Sequence, residues 1–236
     1  MSYMKTVHNA LPSAARTAGS GGAAQNYTWY LPEAEDVEEI LVSLNVSAVT
    51  TAGTLNTKVE VFNPYSQQWY EHVDASFTQV TSSTGAQHKR LKTYGMLTRV
   101  TVTIAGTGPA SYTCQVVVNA KTFESRGRSW SYMGLIPKAR RTSTYTSGKI
   151  DLSNYGVLGL FLEVSAINTT GTLDVKVEDV LEHISNMAVS NYAFSTVTSS
   201  TCLKFKPVDC QGFLIKATGT IASSGDYTFG LYGLAR

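Results

Sequence analysis

Charge is scarce in this chain: Asp, Glu, Lys and Arg make up 15% of its 236 residues, against roughly 25% in an average globular protein. The 19 basic and 17 acidic side chains nearly cancel, leaving +2. No field builds up of the kind that neutralises phosphates along a duplex, which excludes nucleic acid as a main partner. Cysteine is scarcer still, with Cys114, Cys202 and Cys210 alone. An odd count excludes the even disulfide framework of small secreted domains and fits a reducing compartment. Cys202 and Cys210 read as lying on neighbouring strands, so pairing is geometrically open, but burial as thiols is the simpler expectation. Long apolar runs are also missing. No stretch approaches the roughly 18 residues of a membrane span, and Met1 to Thr6 begins no run of signal-peptide length. The expectation is a chain made and used in a soluble compartment, without a membrane partner.

What the chain has in quantity is Ser, Thr, Gly, Val and Tyr, the composition of short strands and tight turns, and 43% hydrophobic residues to fill cores. It also repeats itself. Residues 46 to 60 and 164 to 178 match at ten of fifteen positions, at an offset of 118. Phe77, Val80, Tyr112 and Thr113 recur as Phe194, Val197, Tyr227 and Thr228. A period of this size is a whole small domain rather than a solenoid repeat.

Within each copy the hydrophobic period is two. Val42, Leu44, Val46 and Ala48 alternate with polar residues, and Leu158, Leu160, Leu162 and Val164 alternate with Gly159, Phe161 and Glu163, predicting one buried and one mostly wet face. Leu55, Val59, Leu173 and Val177 are expected to be equivalent and buried, with Lys58 and Lys176 pointing outward. Helical periodicity is weak; the acidic stretch Glu33 to Glu39 predicts one short turn. The fold class is therefore all-β: two tandem antiparallel β-sandwich, jelly-roll-like domains. The boundaries read as an N-terminal arm at 1–25, module 1 at 26–121, a linker or arm at 122–147 and module 2 at 148–236.

No chemistry-bearing constellation stands out. Gly19-Ser20-Gly21-Gly22 lacks the Lys-Ser/Thr ending of a phosphate loop and reads as linker. His8, His72, His88 and His183 are scattered singly and read as surface residues without metal-ligand spacing. Glu60 with Lys58, and Asp174 with Glu178, read as solvated charges on a strand face. No Ser-His-acid arrangement is defensible. No catalytic, cofactor-binding or metal-binding residue is assigned, and the expectation is a non-enzymatic chain.

Two other features invite a binding role. Pro12-x-Ala14-x-Arg16-Thr17 recurs as Pro137-x-Ala139-x-Arg141-Thr142, beside Arg140, in segments that alternate poorly. They read as extended arms, either packed on their own modules or clamped to a partner through Pro12, Arg16, Pro137, Arg140 and Arg141. Trp69 and Tyr70 read as a loop following the Lys58 to Val61 strand, where a sugar-binding platform would sit. The second copy has Ile184 to Met187 there instead, which points to interface packing more than to a duplicated lectin.

The run Gly-Thr-Leu-Asp-Val-Lys-Val-Glu-Asp at 171–179, Phe194-x-x-Val197 and the terminal Ser-Gly-Asp-Tyr-Thr-Phe-Gly-Leu-Tyr-Gly at 224–233 resemble β-sandwich structural proteins of tailed bacteriophages. In the first copy Trp69, Phe77 and Val80 stand at the matching places. The resemblance implies a virion component made in the host bacterial cytoplasm. Its partner would be the major capsid protein or other virion proteins, as a capsid decoration or cement protein, and it would be a homo-oligomer of trimeric type. A tail, baseplate or fibre component that binds a receptor is the alternative, with a carbohydrate-binding module behind it. The second copy lacks the loop Trp, so a role of that loop would belong to the first copy alone.

Overall fold

The computed structural model describes residues 4–51, 53–122, 130–180, 188–209 and 214–236. It is all-β, and no helix among these residues is long and apolar enough to cross a membrane. Two compact units, Met1–Arg126 and Gly127–Arg236, are each built of antiparallel strands. The first holds β1 (Met4–Thr17), β2 (Gln25–Tyr30), β3 (Val37–Thr51), β4 (Thr54–Asn63), β5 (Gln68–His72), β6 (Gly85–Lys92), β7 (Thr98–Ala105) and β8 (Ser111–Thr122). Its strands pair in the orders β1-β8-β3-β6 and β2-β7-β4-β5. The second holds β9 (Ser131–Arg141), β10 (Tyr145–Thr146), β11 (Ile150–Asp151), β12 (Val157–Thr169), β13 (Thr172–Val180), β14 (Ala188–Ala193), β15 (Cys202–Asp209), β16 (Leu214–Ala222) and β17 (Asp226–Ala235). Its orders are β9-β17-β12-β15 and β10-β16-β13-β14, with β11 also on β16. Strand for strand the two orders are the same, the broken pair β10 and β11 standing where the first unit has β2.

The repeat is visible down to single contacts. Leu55, Val59, Leu173 and Val177 are fully buried, as their alternation predicts. Leu55 bridges Val80 and Leu173 bridges Val197 in antiparallel register. The Tyr112 hydroxyl donates to the Thr81 carbonyl at 2.8 Å, and Tyr227 does the same to Val197 at 3.3 Å. Each Tyr thereby buries its ring in the core of its unit and satisfies its own polar tip. The acidic stretch supplies a single 3₁₀ turn, Ala34–Asp36.

The segments read as free arms are strands. Met4–Thr17 pairs with β8 and Ser131–Arg141 with β17, so each begins its own unit. Their alternation fails because of bulges. Register shifts lie between His8 and Leu11 and between Leu11 and Ala14, and the neighbours Ala10 and Leu11 are both buried. Shifts on β9 similarly leave Leu135 and Ile136 both inside. An inserted residue puts two consecutive side chains on one face and erases the period of two. The glycine run after β1 is packed rather than flexible. Gly22 has φ +84, and a Cβ there would stand 1.8 Å from the Gly106 carbonyl oxygen, so only glycine allows the crossing.

Two strand faces also depart from expectation. A bulge between Val46 and Ala48 reverses the phase of β3, leaving Ala48 exposed after Val42, Leu44 and Val46 are buried. On β12 both faces are buried: Phe161 is fully covered, its ring 5.0 Å from Phe205, and Glu163 accepts from Lys138 at 2.6 Å.

Candidate functional site

The repeated Pro-x-Ala-x-Arg-Thr motif closes on itself in both units. Arg16 Nη2 donates to the Pro12 carbonyl at 2.7 Å, and Nη1 donates to the carbonyls of Cys114 at 2.5 Å and Ala14 at 3.3 Å. Arg141 Nη2 donates to Pro137 at 2.8 Å. Each guanidinium also lies over a ring of the next strand, Tyr27 at 5.7 Å for Arg16 and Tyr145 at 4.0 Å for Arg141. The physical sense is local. A proline on a bulged edge strand removes a ladder donor, the bulge turns carbonyls off the ladder, and the arginine fork gathers them. Arg16 is buried in doing so. Pro12 and Pro137 stay exposed.

Arg140 faces the other way and grips Asp226 with Nε at 3.0 Å from both carboxylate oxygens and Nη2 at 2.5 Å from Oδ2. That bond, with a further one from Asn168, holds the Asp226 carboxyl below the usual carboxylate range although burial works against it. Cys114 is buried beside Arg16, with Nη1 at 3.6 Å from Sγ. Burial pushes its thiol up and the arginine opposes this. Cys210 and His183 lie outside the described residues, as do Ile184 to Met187. His72, expected at the surface, is buried: its Nε2 lies 3.1 Å from the Lys92 carbonyl and its Nδ1 accepts from the Asp74 amide at 3.2 Å. Among the described residues no three His, Cys, Asp or Glu side chains gather into a metal-binding group.

Trp69 and Tyr70 lie on strand β5, not on a loop, and therefore point to opposite faces. Tyr70 is fully buried, with its hydroxyl donating to Ser66 Oγ at 3.2 Å. Trp69 points outward and becomes the centre of a cluster. Phe62, directly across the ladder, has its ring 5.2 Å away, and Tyr30 of β2 has its ring 5.7 Å away. The Arg99 guanidinium covers the indole at 4.3 Å and donates through Nε to Glu60 at 2.7 Å. Burial opposes the charge on Arg99, but the bond and charge of Glu60 more than offset it, with a smaller contribution from Tyr30, so its pKa is raised. Glu60 is thus a paired group rather than a solvated one.

Register builds this cluster. Tyr30, Arg99, Glu60 and Glu71 form one row across β2, β7, β4 and β5, and Phe62 and Trp69 stand in the next. Leu97, whose carbonyl accepts from the Phe62 amide at 2.9 Å, extends it. Asn63 Oδ1 accepts from the Tyr65 amide at 2.9 Å and shapes the β4–β5 turn. Of the five large hydrophobic residues exposed among the described residues, Tyr30 at 53%, Tyr65 at 56% and Leu97 at 45% belong to this end of the sheet. Of this cluster the sequence singled out Trp69, beside Tyr70. Phe62, Leu97 and Arg99 had no signal, because only cross-strand register brings them together.

Among its described residues the second unit keeps the frame and replaces two members of the cluster. Glu178 pairs in register with Lys216 where Glu60 pairs with Arg99, and Val180 stands at the place of Phe62. Lys176 donates to Glu178 at 2.6 Å there. The arrangement in the first unit presents rigid rings and a planar, charge-balanced guanidinium at an open surface. It is suited to stacking and hydrogen bonding against a partner.

No family model and no curated protein matches the chain. Solved structures do. The N-terminal CBM22-1–CBM22-2 tandem domain of Xyn10C from Paenibacillus barcinonensis aligns at TM-score 0.35 and 11% identity, over 99% of this chain and 91% of that one. The major capsid protein P2 of bacteriophage PM2 aligns at TM-score 0.33 and 12% identity over 98% and 96%. The PBSX exported protein XepA aligns at 0.31 and 10% over 98% and 86%.

Proposed function

We propose that the chain is a non-enzymatic structural component of a tailed-phage particle. In this reading it decorates or cements the capsid surface and docks through the Tyr30–Phe62–Trp69–Arg99 face of its first unit. That face is the observation that carries the reading. Trp, Tyr and Arg are the residue types that dominate binding energy at protein interfaces, and here they are held ready. Trp69 is fixed by Phe62, Tyr30 and Arg99, so little rotamer freedom is lost on docking. The Glu60 bond to Arg99 keeps the charge balanced, so a partner meets no unpaired charge to desolvate. The resemblance of both copies to tailed-phage β-sandwich proteins supports a particle as the setting.

A carbohydrate-binding role is also compatible with the fold, and one observation favours it: the exposed ring of Tyr30 is tilted 58° to Trp69, beside a guanidinium and a carboxylate. The test separates the two. Wild-type chain and Trp69→Ala are incubated with mature capsids, with isolated tails and with a panel of neutral glycans, and bound fractions are measured. Retention on capsids that falls at least about tenfold in the variant, with unchanged melting, supports docking. Unchanged capsid retention refutes it. Glycan affinity that disappears with Trp69 would transfer the face to the second reading.

A further inference from the structure

A strand edge is a row of open main-chain donors and acceptors, and proteins that stay monomeric block it with charge, proline, bulges or interruption. Most edges of these two units carry such devices. β1 has Pro12 and two bulges. β6 presents Lys89, Arg90 and Lys92. β9 has Pro137, bulges and Lys138, Arg140 and Arg141. At the place of β2 the second unit has two separate pieces, β10 and β11, split by Ser147-Gly148-Lys149.

β2 itself carries none of these. Its sequence, Gln-Asn-Tyr-Thr-Trp-Tyr, has no charge, no proline and no glycine, and its register with β7 runs unbroken from Gln25 to Tyr30. It ends the strand order, with β7 on one side only. The Leu31 amide donates to the Thr98 carbonyl at 2.9 Å. That fixes the phase of the ladder: Gln25, Tyr27 and Trp29 turn their main-chain groups to β7, and Asn26, Thr28 and Tyr30 turn theirs to the open edge. The side chains of these three are exposed as well.

We propose that the β2 edge is an interface between two copies of this chain, paired antiparallel about a twofold axis through Thr28. A second copy is the occupant because the edge is complementary to itself. Thr28 meets its own counterpart, a favourable cross-strand pair, and Asn26 meets Tyr30 of the other copy. The three open donors of each strand face the three open acceptors of the other. The strand has no charge, so self-pairing sets no like charges opposite each other. A twofold contact of this kind is isologous. It differs from the threefold ring expected from the resemblance, which would need a second, different surface. The interface shares Tyr30 with the proposed docking face but does not use Trp69, so Thr28→Lys tests the pairing of β2 and Trp69→Ala tests the docking face.

The experiment is sedimentation equilibrium of the full chain over a range of micromolar concentrations, for wild type, Thr28→Lys and Thr28→Cys. Expected are a dimer for wild type and a dissociation constant at least about tenfold weaker for Thr28→Lys, whose charges would face each other at the axis. Thr28→Cys should form a self-disulfide on mild oxidation beyond any wild-type background, whereas Thr146→Cys on β10 should not. Should Thr28→Lys fail to fold, as judged by circular dichroism, the crosslink decides. A wild type that stays monomeric to about 100 μM, equal association of wild type and a folded Thr28→Lys, or no Thr28→Cys crosslink overturns the proposal. A foreign strand as the true occupant would appear as the first of these.

Discussion

Replacing Arg16 by alanine decides between a structural staple and a partner clamp. In the folded unit this guanidinium makes three hydrogen bonds to main-chain carbonyls, those of Pro12, Ala14 and Cys114, and lies 8% exposed. A hydrogen bond from a charged group contributes roughly 1.5 to 3 kcal/mol, and a buried carbonyl left unsatisfied costs about 1 to 3 kcal/mol. The bonds are not additive, because Arg16→Ala also lifts the desolvation of a buried charge and lets water reach the part-buried Pro12 carbonyl. The expected loss is therefore about 2 to 4 kcal/mol, equivalent to roughly 10 °C in melting temperature for a unit of this size. Arg16→Lys should recover less than half of it, since a single ammonium cannot fork across three carbonyls. Urea unfolding followed by tryptophan fluorescence reads the units separately in part, because Trp29 and Trp69 belong to the first and Trp130 to the second. The reasoning fails if Arg16→Ala unfolds at the wild-type midpoint. It fails equally if the variant keeps its stability and loses retention on particles, which is what a free arm acting as a clamp would do.

Two further outcomes follow from the packing and the ion pairs. Leu55→Ala and Leu173→Ala, each at a fully buried and equivalent position, should each destabilise their own unit by about 2 to 5 kcal/mol. Lys58→Ala, on an exposed side chain, should leave the urea midpoint within about 0.5 kcal/mol, and the reverse pattern would mean that the faces of β4 are inverted. Asp226, held below the carboxylate range by Arg140, stays ionised in the folded unit at acidities where the unfolded chain takes up a proton. Its stabilisation is whole above the ordinary value of about 3.9 and is lost as pH falls through the lowered folded value. Asp226→Asn should therefore make the second unit less sensitive to acid as pH falls from about 5 to below the lowered folded value of Asp226, as measured by its melting temperature across that range. An unchanged acid dependence would show that another carboxylate sets it.

Side-chain alternation and the internal repeat determined, from sequence alone, that this is an all-β chain with one topology used twice. Leu55 and Val59, with their copies Leu173 and Val177, were legible because which face a strand residue occupies depends only on its immediate neighbours. The two arms were not, because bulges at His8 to Ala14 and around Ile136 break the alternation. Only the partner strand shows that Met4–Thr17 is a strand at all. The repeated arginine was conspicuous in sequence, but its direction was not. Whether Arg16 reaches a neighbouring molecule or folds back to Pro12 depends on where the bulge turns its carbonyls. The aromatic face is the clearest case of a feature decided by tertiary structure. Tyr30, Phe62, Trp69 and Arg99 come from four different strands, and they meet because ladder register across β2, β7, β4 and β5 sets them side by side. Register is a property of pairs of segments far apart in the chain, and local pattern carries no record of it.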